Sequence, residues 1–166
     1  MVIDVTISVD EFRSAMSSWA TGVSIITGIS VDGSDKPIGI VCNSLASISL
    51  NQKLILWSVD KTSSSYSQWV KVENFLVHFL AENQRELVTR FAKKGADKFE
   101  GLSFDRTLLG SPILDGASVL MECSTYQIFD TPDHSLIIGE LKTLVNNHKP
   151  PLLYLHSELE NSSSLT

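Results

Sequence analysis

Residues 39–50 constrain the fold more than any other stretch of the chain. Gly39-Ile40-Val41-Cys42 alternates small and apolar residues, as a half-buried strand does. Asn43, Ser44, Ser47 and Ser49 then sit among Leu45, Ile48 and Leu50, a polar edge on an apolar support. Hydroxyls, an amide and exposed backbone N–H groups in that setting can bind a phosphate or the polar edge of a flat heterocycle. An ordinary strand running into a Ser-rich loop has the same composition.

The flanking segments fit a β framework. Ser8-Val9-Asp10-Glu11 is a capping-box sequence, and Phe12, Ala15, Met16 and Trp19 recur at helical spacing behind it. Thr21-Gly22 ends that helix. The β-branched run 23–28 and a return strand from Pro37 flank Asp32-Gly33, a hairpin turn signal. Residues 53–59 read as a third strand and leave into Thr62, Ser63, Ser64 and Ser65, with Lys61 before them and Tyr66 after. A solvated Ser-rich loop looks the same. This one leaves a strand and precedes the helical pattern Tyr66, Trp69 and Val70, where hydroxyls and free N–H groups favour an anion.

Further strands are expected at 74–80, 118–129, 136–145 and 151–155, and a helix at 83–92 with Leu87, Val88 and Phe91 inward. Residues 93–114 are loop-rich. The census is about seven strands and few helices, without βαβ alternation or internal repeat. It predicts a mainly β protein, an antiparallel barrel with peripheral α-helices. One domain over 1–157 and a polar C-terminal tail at 158–166 complete the expectation. Neither GxGxxG, P-loop nor GxSxG is present, so the usual nucleotide motifs carry none of the chemistry.

Composition narrows the partners. The chain has 166 residues and 43% hydrophobic content, enough for one sizeable core. A net charge of −6 argues against nucleic acid, which needs a basic face. No apolar run approaches the ~20 residues that span a bilayer, and residues 1–10 lack a secretory pattern. No membrane partner is therefore expected. Cys42 and Cys123 are far apart in sequence and read as reduced thiols of a cytoplasmic protein. The four histidines show no metal-ligand spacing.

Ordered blocks carry a resemblance. They are Phe12…Ala20-Thr21-Gly22-Val23-Ser24-Ile25-Ile26-Thr27, Gly39…Asn43-Ser44-Leu45-Ala46-Ser47-Ile48-Ser49-Leu50, Gln84…Leu87…Phe91-Ala92, Gly110-Ser111-Pro112 and Asp133-His134…Ile138-Gly139. Together they resemble the flavin reductases of the FMN-binding split-barrel type over nearly the whole chain. The resemblance implies an antiparallel Greek-key split β-barrel, usually a homodimer, with flavin near the subunit interface. It also implies an NAD(P)H:flavin oxidoreductase using FMN or FAD with NADH or NADPH, and supplying reduced flavin to a partner monooxygenase.

Carried over by position, Val41, Cys42, Asn43, Ser44, Leu45, Ser47 and Ile48 line the isoalloxazine and reach the phosphate. Thr62, Ser63, Ser64 and Ser65 form a second phosphate loop, and Phe91 and Ala92 a third contact. His134 is the expected catalytic residue beside the nicotinamide. Two positions depart from the family pattern: Pro132-Asp133-His134 where Gly-Asp-His is usual, and Val77-His78 where Val-Asn is common. The first leaves a second reading open, a flavin-binding or electron-transfer module without nicotinamide turnover. In either case the cofactor would carry the redox step.

Overall fold

The computed structural model describes residues 6–95 and 97–165. It opens on helix α1 (Val9–Ser17), and the capping box is formed: the Glu11 amide donates to Ser8 Oγ at 3.2 Å, and the Ser8 amide donates to Glu11 Oε2 at 2.8 Å. Twelve strands follow: β1 (Thr21–Gly22), β2 (Ser24–Ile29), β3 (Pro37–Cys42), β4 (Ala46–Ser49), β5 (Leu54–Asp60), β6 (Asn74–Phe79), β7 (Asp105–Arg106), β8 (Pro112–Ile113), β9 (Val119–Asp130), β10 (His134–Asn146), β11 (Leu152–Leu155) and β12 (Glu158–Asn161). Helix α2 (Tyr66–Trp69) follows β5, and α3 (Arg85–Ala92) follows β6.

Seven strands form one antiparallel sheet in the order β3-β2-β6-β9-β10-β5-β4. Its two outermost strands, β3 and β4, are consecutive in the chain and separated only by Asn43, Ser44 and Leu45. So short a link forces the sheet to curl until its edges approach, which makes a barrel with an open seam. The mainly β, split-barrel expectation is the fold observed.

The interior of the curl is apolar. Trp57, Trp69 and Phe75 meet edge to face, with Trp57 centroids 5.3 and 5.7 Å from the other two rings. Ile26, Val59, Val77 and Ile137 complete that cluster. A second cluster, with Val23, Ile25, Leu80, Phe91, Phe99 and Leu152, fills the space between the sheet and α3. Strand β6 is buried on both faces, Leu76 and His78 included, because it lies inside the sheet, between β2 and β9, with a core on either side.

Three expectations need correction. Residues 43–50 are more than a Ser-rich exit: β4 pairs with β5 through Ala46↔Leu56 and Ser47↔Ile55, and its polar residues reflect an exposed edge strand. The segment from 158 is no free tail. Strand β12 pairs with β11, Leu159 packs on the second core, and Glu82 accepts from the Ser163 amide at 2.6 Å. Alternation of Glu158, Leu159 and Glu160 gives one apolar tooth to a strand that reads as polar; Thr166 lies outside the described residues. Finally, α2 is a single turn, too short for a helix dipole to draw an anion.

Candidate functional site

The seam is the candidate site. β3 ends the sheet, so no strand among the described residues pairs its outer edge. At one end, Ser44 Oγ accepts from the Ser58 amide at 3.0 Å and lies 2.9 Å from Ser58 Oγ, tying the β3–β4 link to β5. At the other end a cavity of about 480 Å³ opens, lined by Pro37, Ile38 and Gly39 of β3 and by Ser64 and Ser65. The two serine-rich segments, 41–48 and 62–65, thus contribute to separate hollows toward opposite ends of the seam. Gly39 and Asn43 mark its ends, on the order of 13 Å apart along a strand.

Polarity changes along this path. Near Asn43 a groove of about 280 Å³ is walled by Val23, Val41, Cys42, Val88, Tyr154 and Leu159. A smaller one of about 170 Å³ adds Leu45 and Leu80. The opposite cavity is polar and holds Lys36, Lys98, Asp32 and Gln68 beside the serines. Asn43, Ser44 and Ser47 are exposed, and Cys42 is buried, its thiol pushed up by burial despite the Ser44 hydroxyl 3.2 Å from Sγ. Ile48, on β4, is half exposed.

Val41, Cys42, Asn43 and Leu45 line the apolar grooves and Ser64 and Ser65 the polar cavity, an arrangement suited to a flat ring carrying a phosphate arm. Against known families, residues 16–163 match the flavin reductase like domain. The chain belongs to that family.

Relatives of this flavin reductase like domain include reductase subunit HsaB of a flavin-dependent monooxygenase from Rhodococcus jostii, 37% identical over 86% of this chain and 73% of that protein. FMN reductase (NADH) SmoA of Agrobacterium fabrum is 33% identical over 86% of this chain and 80% of its own length. The chain spans about half, 46%, of the reductase component of trigonelline monooxygenase from Acinetobacter baylyi, at 35% identity over 87% of this chain. Among solved structures, nitrilotriacetate monooxygenase component B of Mycobacterium thermoresistibile superposes with a TM-score of 0.84 at 32% identity, covering 92% of this chain and 85% of that one.

Within the flavin reductase like domain the second serine loop divides its labour. The Thr62 amide donates to Asp60 Oδ1 at 2.6 Å and the Ser63 amide to Asp60 O at 3.0 Å, so both are committed to the turn. The Thr62 amide and hydroxyl hold the Asp60 carboxyl below its usual range, with His134 and Lys94 adding smaller contributions. Ser65 Oγ accepts the Trp69 indole N–H at 3.0 Å. What remains for a ligand is the Ser64 hydroxyl and the amides of Ser64 and Ser65, which have no protein partner among the described residues.

The third segment is placed differently from its neighbours. Phe91 is fully buried, with its ring against Gly39 and 5.1 Å from the Phe99 centroid; it shapes the floor of the seam. Ala92 is exposed at the end of α3.

His134 opens β10 opposite Asp60, where the second serine loop begins. Its Nδ1 is 3.1 Å from Asp133 Oδ1, and this contact lowers the Asp133 carboxyl. Pro132 distorts nothing here: none of residues 131–134 has a positive φ. The Thr131 amide donates to His134 O at 2.9 Å and the Lys61 amide to Asp133 O at 2.9 Å. Lys61 Nζ adds a 2.6 Å bond to Thr131 O, so the turn is clamped to β5 without a glycine.

Sequence reasoning missed Ser58, Lys36, Gln68 and Lys98. Ser58 carries a weak signal, a hydroxyl inside an apolar strand. Lys98 carries none, since it lies in a loop and reaches Gly39 O, at 2.9 Å, only through the fold. No cluster of three or more metal-binding side chains occurs among the described residues, and no helix among them is long and apolar enough to cross a membrane.

Proposed function

We propose that this chain is an NAD(P)H-dependent flavin reductase that passes reduced flavin to a partner monooxygenase. The observation that carries the reading is the seam, apolar around Asn43 and polar around Ser64. Flavin held there would supply the redox chemistry, hydride acceptance from a nicotinamide. Val41, Leu45 and the apolar walls would hold the ring and exclude water, while the unpartnered groups of Ser64 and Ser65 would take a phosphate oxygen. Backbone N–H groups around Asn43 and Ser44 would steady the negative charge that develops at the ring's pyrimidine edge. The names of the relatives favour the same activity: one is an FMN reductase (NADH), several are reductase components of monooxygenases. Anaerobic mixing of the protein with flavin and NADH, then NADPH, tests the proposal. Bleaching of flavin absorbance with either donor supports it, and none with both overturns it.

His134 would orient the nicotinamide against the ring, with Asp133 fixing its imidazole. His134→Ala is expected to slow flavin reduction roughly 10- to 100-fold, the scale of a small misplacement of reacting groups. Flavin affinity should change little. Stopped-flow reduction alongside a flavin titration separates the two effects.

The protein acts as a homodimer in this reading. Helix α1 buries no residue; Phe12, Met16 and Trp19 are 61%, 52% and 71% exposed on its apolar stripe. Nine isolated residues make a marginal helix in water, so a second copy of the chain is the cover that would stabilise it. Light scattering should report a dimer, and Phe12→Glu with Trp19→Glu should shift it toward monomer.

A further inference from the structure

We infer that the polar cavity beyond Ser64 receives the adenylate half of FAD, so that the chain selects FAD over FMN; this rests on the flavin site proposed above. FMN ends at one terminal phosphate, close to a dianion at neutral pH. The cavity is built for something larger, a diphosphate diester with its ribose and base. Its volume, about 480 Å³, far exceeds a phosphate and falls in the range of small-molecule sites.

Its lining has three kinds of group. The first is cationic and donating, at the Ser64 end. Lys98 is half-buried, and burial lowers its pKa; its amine spends one donor on Gly39 O at 2.9 Å and keeps two. Lys36 and the unpartnered Ser64 hydroxyl stand with it, enough for a diphosphate diester.

The second kind accepts. Asp32 has its carboxyl lowered to about 2 by the Ser30 and Ser34 hydroxyls, so it stays ionised and suits ribose hydroxyls. The third kind reads a base. Gln68 Oε1 is occupied by the Val31 amide at 2.8 Å and Ser30 Oγ at 3.1 Å, which leaves its Nε2 donor for a ring nitrogen. Phosphate, ribose and base partners therefore lie in one cavity, continuous with the loop assigned to the flavin phosphate.

NAD(P)H also carries an adenylate, and the test separates the two sources. Flavin titrations without nicotinamide should show FAD binding at least about tenfold tighter than FMN. Lys36→Gln and Asp32→Asn should each weaken FAD at least about fivefold and leave FMN within about twofold, because FMN does not reach them. Adenosine, which has no phosphate to compete at Ser64, should displace FAD but not FMN. Both side chains are exposed near the hairpin tip, and an unchanged thermal melt shows that the variants fold. Equal FAD and FMN affinities in the unmodified protein overturn the inference alone. So does an effect of the variants confined to the KM for NADH, which gives the cavity to the nicotinamide dinucleotide. Failure of both flavins to bind overturns the flavin site itself.

Discussion

Gly39→Ala is expected to destabilise the protein by up to about 3 kcal/mol, the upper end for overpacking a core, and to lower Tm by roughly 10 °C. A Cβ at Gly39 would lie 2.3 Å from Phe91 Cε1, 2.6 Å from Cδ1 and 3.2 Å from Phe99 Cε2. Phe91 is fully buried and Phe99 nearly so, so the ring cannot swing into solvent. The strain falls on α3 and the 97–99 segment, which carry Ala92 and Lys98 at the seam. Flavin affinity should therefore fall with stability, in the same titration. Gly22→Ala is the control: nothing lies within 4 Å of that Cβ, and it should melt as the unmodified protein does. Shortening the ring with Phe91→Leu should recover part of the loss in Gly39→Ala. An unchanged melt for Gly39→Ala would show that Phe91 does not sit on the strand.

Acidification should remove about 3 kcal/mol of stability through one side chain, His78. It is fully buried; its Nε2 accepts from the Leu114 amide at 3.0 Å, so the ring proton sits on Nδ1, 3.1 Å from Ile25 O. Burial lowers its pKa from 6.5 to about 4, outweighing the raising effect of the Ile25 carbonyl. The unfolded chain therefore binds a proton before the folded one does. The contribution is fully present above pH 6.5, falls as pH drops, and is gone near pH 4, where both states are protonated. Denaturant unfolding at pH 7.5, 5.5 and 4 measures the slope. His78→Asn, the residue that resembles the common family pattern here, offers a neutral donor and acceptor. It should flatten the pH dependence, at a baseline cost of about 1–3 kcal/mol for imperfect bonds to Ile25 and Leu114. An unchanged slope in that variant would assign acid loss to other groups.

The sequence by itself determined what short-range rules govern. Ser8 and Glu11 sit three residues apart, and that spacing alone closes the capping box. A β-branched run marks β2 and alternation marks β3, and the Asp32-Gly33 turn joins them because residue type, residue period and turn chemistry are local properties. The chemical character of the site was legible for the same reason: serines, an asparagine and a small-residue strand are visible one after another. Tertiary structure decided where those groups point. Lys98 meets the Gly39 carbonyl, far away in sequence, only once the chain folds. Bonds within the second serine loop commit Thr62 and Ser63 to Asp60, give the Ser65 hydroxyl to Trp69, and leave Ser64 free, which residue types alone do not reveal. The fold also explains Gly39, which no local rule requires, by the Phe91 ring 52 residues later in the chain. Residues from 158 onward read as polar, yet pairing with β11 and the burial of Leu159 make them a strand. Helix α1 shows the converse: its amphipathic pattern was plain in sequence, and that stripe stays exposed because none of the described residues folds back to cover it.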